Sequence, residues 1–129
     1  MGQFDTPLPS SPNNNLIMYG LAVSYRYDIY RNTTFTKLIG SYLTDEEYRG
    51  LQGFLLGHPD AGKIVRGSGG VRKLRWSIAD KGKSGGIRII YYWKRADNEV
   101  WFLTVYGKSE RETIPGHILK QIAEEINNG

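Results

Sequence analysis

From Val65 onward the hydrophobic period of this chain changes from helical to two, and that change constrains the fold more than any other feature. Val71 to Ile78, Ile87 to Trp93 and Val100 to Tyr106 alternate and read as three strands. Asp80 to Gly86 and Ala96 to Glu99 supply turns, which makes an antiparallel meander the economical topology. Alternation sorts Leu74, Trp76, Ile78, Ile87, Ile89, Tyr91, Trp101, Leu103 and Val105 onto one face, the predicted core. The other face collects Lys73, Arg75, Ser77, Arg88, Tyr92, Thr104 and Tyr106, with Ile90 and Phe102 among them.

The apolar face needs a cover, and the flanking segments are helical. Phe35, Leu38, Ile39 and Tyr42 recur at helical spacing. A second helix is marked by Thr44-Asp45-Glu46-Glu47, a capping box, with Leu43 and Tyr48 placed to form a hydrophobic staple. Tyr48, Leu51 and Leu55 line one side of it, and Gly57-His58-Pro59 ends it. The two form a helical hairpin. Ile114, Ile118, Ile122 and Ile126 make a closing helix, with Thr113 as its cap. Tyr25 to Arg31 reads as a first strand. The predicted class is therefore α+β: an N-terminal strand and helical hairpin packed on an antiparallel sheet of about four strands, with a C-terminal helix.

Residues 1–22 carry Pro7, Pro9, Pro12 and Asn13-Asn14-Asn15, so they read as a flexible extension, leaving 23–129 as one domain. No basic residue precedes the apolar run Leu16 to Val23, and Asp5 gives the start the wrong charge for export. The expected location is the cytoplasm, and no membrane partner is expected. With no cysteine and two histidines in 129 residues, disulfides, thiolate metal sites and histidine-rich centres are excluded.

Charge is segregated. Residues 63–111 hold twelve Lys/Arg and four Asp/Glu, a net of +8, whereas the rest of the chain nets −4. Such a concentration repels itself and marks a surface for a polyanion, against the plainer reading of a solvated sheet face. Aromatics between the cations can stack on bases, which is how single-stranded RNA is held. Two glycine stretches fail as nucleotide loops. Gly67-Ser68-Gly69-Gly70-Val71-Arg72 has arginine where the dinucleotide fingerprint needs glycine, and Gly82-Lys83-Ser84 has Ser77 where a phosphate loop needs its upstream glycine. They read as turns, with Lys81 and Lys83 adding charge at the edge of the face. His58, before a proline at a helix end, and His117, in a first helical turn, read as structural or solvated.

The strings Gly69-Gly70-Val71-Arg72-Lys73-Leu74-Arg75, Gly85-Gly86-Ile87-Arg88-Ile89-Ile90-Tyr91-Tyr92 and Leu103-Thr104-Val105-Tyr106-Gly107-Lys108-Ser109-Glu110 resemble the RelE superfamily, closest to the HigB-2 branch of toxin–antitoxin toxins. Leu43 to Tyr48 resembles that branch too, and the likeness spans about residues 25–126 in order. The resemblance implies a RelE-like fold and a ribosome-dependent mRNA endoribonuclease, the toxin of a type II toxin–antitoxin module. It implies attack by the substrate's own 2′-oxygen, with no cofactor and no metal. The implied partners are mRNA, the ribosome and a cognate antitoxin, a DNA-binding HigA-like protein.

By position, Lys73 and Arg75 match the family's basic pair, Arg88 its phosphate-clamping arginine, and Lys108 and Glu110 its Gly-Lys-x-Glu stretch. Arg72, Lys81, Lys83, Tyr92 and Tyr106 are the expected RNA contacts. Ser109 stands where some relatives carry arginine, and Thr113-Ile114-Pro115 offers no tyrosine. Tyr92, Tyr106, Lys73 and Glu110 are left as candidates for proton transfer. The competing classes are a non-catalytic inhibitor on the same scaffold, such as ParE-like relatives, and a plain RNA-binding module.

Overall fold

The computed structural model describes residues 4–5, 28–78, 86–108, 110 and 114–128. Its strands are β1 (Phe4–Asp5), β2 (Asp28–Asn32), β3 (Lys63–Ile64), β4 (Val71–Trp76), β5 (Ile87–Lys94) and β6 (Glu99–Gly107). Its helices are α1 (Thr33–Ile39), α2 (Asp45–Gly57) and α3 (Gly116–Asn128). The class is α+β, as the periodicity predicts.

Local signals place the elements well. Thr44 Oγ1 accepts from the Glu47 N–H at 3.1 Å while Glu47 Oε1 accepts from the Thr44 N–H at 2.8 Å, so the capping box forms. Leu43 and Tyr48 pack in one apolar cluster. Helix α1 has a cap that the sequence reading lacks: Asn32 Oδ1 accepts from the Phe35 N–H at 2.8 Å. A 3-10 turn over Arg95–Asp97, closed by Asn98 at φ 57°, joins β5 to β6 at the predicted turn. The predicted turn at 80–86, apart from Gly86, and the Thr113 cap lie outside the described residues.

The sheet departs from expectation in pairing. Its order is β1-β2-β6-β5-β4-β3, and β2 runs parallel to β6, so it is mixed rather than antiparallel. Strands β4, β5 and β6 do form the antiparallel meander. Parallel pairing needs a long crossover, and the helical hairpin and meander between Asn32 and Glu99 supply it. Within the extension, Phe4–Asp5 pairs with β2 as an edge strand.

The core also departs. Two apolar clusters sandwich the sheet. Helices α1 and α2 bury Phe35, Ile39, Leu51 and Leu55 against Ile87, Ile89, Tyr91, Val100, Phe102 and Val105. On the opposite face α3 buries Leu119, Ala123 and Ile126 against Val71, Ile90 and Leu103. A bulge in β6 causes the mismatch with simple alternation. Ile90 pairs with Thr104 but Tyr91 pairs with Phe102, leaving Leu103 as the extra residue. The strand's phase flips there. Trp101 and Leu103, expected under the hairpin, therefore face α3, and Phe102 takes their place, stacked on Phe35 at 4.7 Å.

Candidate functional site

Because β4, β5 and β6 lie side by side in fixed register, three side chains align across them. Arg75 stands directly opposite Arg88, and Arg88 opposite Tyr106. All three share the α3 side of the sheet, two residues beyond the point where α3 covers Ile90. Lys73 joins them from the position opposite Ile90, and its side chain is exposed. Lys108 follows β6 directly, exposed, with its backbone N–H bonded to the Gly86 carbonyl at 3.2 Å. The cations with the strongest positional argument are thus gathered at one end of one face.

Directly opposed residues have Cβ atoms about 5 Å apart, where like charges destabilise a sheet. Among the described residues the ion pair found is Lys94–Asp97 at 2.8 Å, elsewhere in the sheet. None of the Lys73, Arg75, Arg88 and Lys108 side chains has an acidic partner or hydrogen bond among those residues. The row is a charge concentration that the fold leaves uncompensated there. It presents two guanidinium forks, each able to grip a phosphate through paired N–H groups, beside a phenol.

Other predicted contacts are placed elsewhere. Arg72 points to the hairpin side of the sheet, donating to the carbonyls of Gly62 at 2.8 Å and Asp60 at 3.1 Å, so it secures the loop before β3. Tyr92 shares the face of Arg88 but lies four residues along β5, about 13 Å at the usual strand rise. Its hydroxyl accepts from Asn127 Nδ2 at 2.9 Å, tying down the end of α3. Lys81 and Lys83 lie outside the described residues.

Glu110 is committed as well. Its Oε1 accepts from the Gly107 N–H at 2.6 Å and from the Tyr42 hydroxyl at 2.7 Å. The Gly107 N–H, then the Tyr42 hydroxyl, hold its carboxyl below the usual carboxylate range. The hydrogen bond to Glu110 is also the main cause of a raised Tyr42 pKa, and desolvation adds to it. A carboxylate so stabilised is a weak base, and its contacts fasten the segment after β6 to the helical hairpin. Nothing local in sequence could reveal this pair, whose members are 68 residues apart.

His58 stacks on Phe54 with ring centroids 5.0 Å apart, its Nδ1 3.3 Å from the Phe54 carbonyl oxygen, which fits the structural reading. His117 is exposed in the first turn of α3. No three His, Asp or Glu side chains among the described residues are grouped to hold a metal ion. None of the helices described is long and apolar enough to cross a membrane. No family model matches the chain.

Proposed function

We propose that this chain is a translation-inhibiting mRNA endoribonuclease of the RelE/HigB kind, the toxin of a type II toxin–antitoxin module. The observation that carries the reading is the Arg75–Arg88 pair, opposed across two strands with no acid beside it among the described residues. Such a row is relieved by binding phosphate and is suited to the charge that grows on a pentacoordinate phosphorane.

In this mechanism the 2′-oxygen of the RNA attacks the adjacent phosphorus, and the bond from phosphorus to the 5′-oxygen breaks. The products are a 2′,3′-cyclic phosphate and a 5′-hydroxyl. Arg88 and Arg75 clamp the non-bridging oxygens. One group must take the 2′-proton and another must protonate the leaving oxygen. Of the four residues considered for this, Tyr92 is bonded to Asn127 and Glu110 to Tyr42 and Gly107. Position, not freedom from partners, favours the other two: Tyr106 stands directly opposite Arg88, and Lys73 stands two residues from Arg75 on the same face. The nucleophile belongs to the substrate, so the step requires no bound metal. Without a tuned base of its own, the protein relies on the ribosome to orient the 2′-hydroxyl.

The committed state of Glu110 favours a second reading, an RNA-binding module or non-catalytic inhibitor on the same scaffold. Primer extension on mRNA in a translation extract separates the two. Cuts within the reading frame that vanish without ribosomes and with Arg88→Ala support the nuclease. Inhibition of translation without cuts overturns it in favour of binding alone.

A further inference from the structure

Strand β4 begins at Val71, opposite Tyr92, so Trp93 and Lys94 of β5 run on past it. The missing neighbour leaves a notch at the corner of the sheet, and the notch is an open cavity of about 400 Å³. That is within the usual range of small-ligand pockets. Gly69, Gly70, Arg72, Tyr92, Trp93 and Arg95 contribute to its walls. It is remote from the Arg75–Arg88 row, because Tyr92 is the Arg88-side residue that lies four positions along β5.

Three independent features bear on what it holds. Gly69 and Gly70 both have positive φ, 71° and 106°, and their backbone N–H groups find no acceptor among the described residues. Consecutive free N–H groups in such a turn form an anion-binding concavity. Two arginines line the same cavity: Arg72 keeps donors beyond the one that holds Asp60 and Gly62, and exposed Arg95 lies over the Trp93 ring, its guanidinium carbon 5.1 Å from the centroid. Asp97, on the same turn as Arg95, is neutralised by Lys94. Finally, one wall is aromatic, the Tyr92 ring on the α3 side of the sheet, while Trp93, next in the strand, turns its ring to the hairpin side beneath Arg95. The Gly69–Gly70 turn passes close to the Tyr92 ring, where a Cβ on Gly70 would sit 3.5 Å from Cε1. The Trp93 Nε1 donor is buried without a partner among the described residues.

Anion donors, cations and a flat aromatic wall around one small cavity match a phosphate ester attached to a ring. We infer that this notch is a nucleotide-binding subsite, distinct from the cation row and independent of any cleavage there. The phosphate rests on the Gly69 and Gly70 N–H groups and the Arg95 guanidinium, and the base lies against the Tyr92 ring. The nucleotide is either free or one residue of a bound RNA.

NMR titration of the full chain with adenosine 5′-monophosphate, inorganic phosphate and a short single-stranded oligoribonucleotide tests this. The Gly69 and Gly70 amide and Trp93 indole resonances should shift and saturate with the mononucleotide or the oligonucleotide. Arg95→Ala should weaken that binding about tenfold. Arg88→Ala should leave the same shifts attainable at saturation, which separates this site from the row. Shifts with the mononucleotide identify a free nucleotide as sufficient, and shifts with the oligonucleotide alone identify RNA. No shift with either, equal binding of inorganic phosphate, or an Arg95→Ala protein that binds as well as the parent would each overturn the inference.

Discussion

Changing Arg75 to Glu should make the protein more stable and less active at once. Arg75 faces Arg88 across β4 and β5, so the substitution turns a repulsive cross-strand pair into an attractive one. At about 6 Å in water two unit charges interact by roughly 0.7 kcal/mol, so reversing the sign shifts the balance by about 1.4 kcal/mol. The mobility of exposed side chains reduces this, and cross-strand and surface pairs contribute about 0.2–1 kcal/mol. A net gain of about 1 kcal/mol is the working figure, which in a chain of this size raises Tm by about 3–5 °C. Thermal unfolding at about 0.01 M salt should show it. At about 1 M salt, where screening acts within about 3 Å, the gain should nearly vanish. Cleavage or RNA binding, measured on the same preparation, should fall by at least about a hundredfold. An Arg75→Glu protein no more stable than the parent at low salt would refute the claim that the row is an uncompensated charge concentration. Full activity in that variant would refute its role.

Arg88→Ala should lower cleavage by about a hundredfold, equivalent to about 2.7 kcal/mol of transition-state stabilisation, with an unchanged circular dichroism spectrum. Tyr42→Phe removes one of the two donors holding Glu110 low, so the Glu110 carboxyl should titrate at higher pH by NMR; because that group's folded pKa is depressed, its stabilising effect is present above the unfolded value and lost as pH falls through the folded one, a loss the variant should shrink. An acidic antitoxin segment steered by the +8 region should associate more slowly as salt rises, with dissociation changed less, in stopped-flow mixing. A flat association rate would show that this face does not guide it.

What could be read in the sequence was local or strictly periodic. Thr44 and Glu47 are three residues apart, so their reciprocal capping is visible as a pattern, and the cations of β4 and β5 follow from alternation once the strands are found. The bulge at Leu103 is different. It leaves no composition signal, because a run such as Val100 to Val105 is apolar at nearly every position and accepts either phase. That is why alternation alone puts Trp101, Phe102 and Leu103 each on the wrong side. Arg72, one of the expected RNA contacts, falls by alternation on the face opposite Lys73 and Arg75, where two carbonyls hold it. The parallel β2–β6 pair and the Tyr42–Glu110 contact depend on where distant segments meet, which no local pattern encodes.

The bulge and α3 together limit how much of the face can be used. Leu103 and Thr104 both oppose Ile90 from β6, and α3 lays Leu119, Ala123 and Ile126 over that crowded centre. Ile90 and Leu119 are fully buried, so no polyanion reaches the middle of the sheet. The usable surface is the end bounded by Arg75, Arg88, Tyr106 and Lys108, where the Lys108 N–H bonds to Gly86 and fixes the strand ends together. Adding charge in the centre should therefore damage the fold rather than extend the site. Ile90→Lys places an unpaired ammonium beneath α3, and such a buried charge costs about 3–5 kcal/mol, a large share of the stability of a small domain. Urea unfolding should show the loss, with faster amide exchange in α3 before any change in the hairpin. If Ile90→Lys were instead as stable as the parent and bound RNA more tightly, α3 would not be the cover described, and the whole sheet face would have to count as the site.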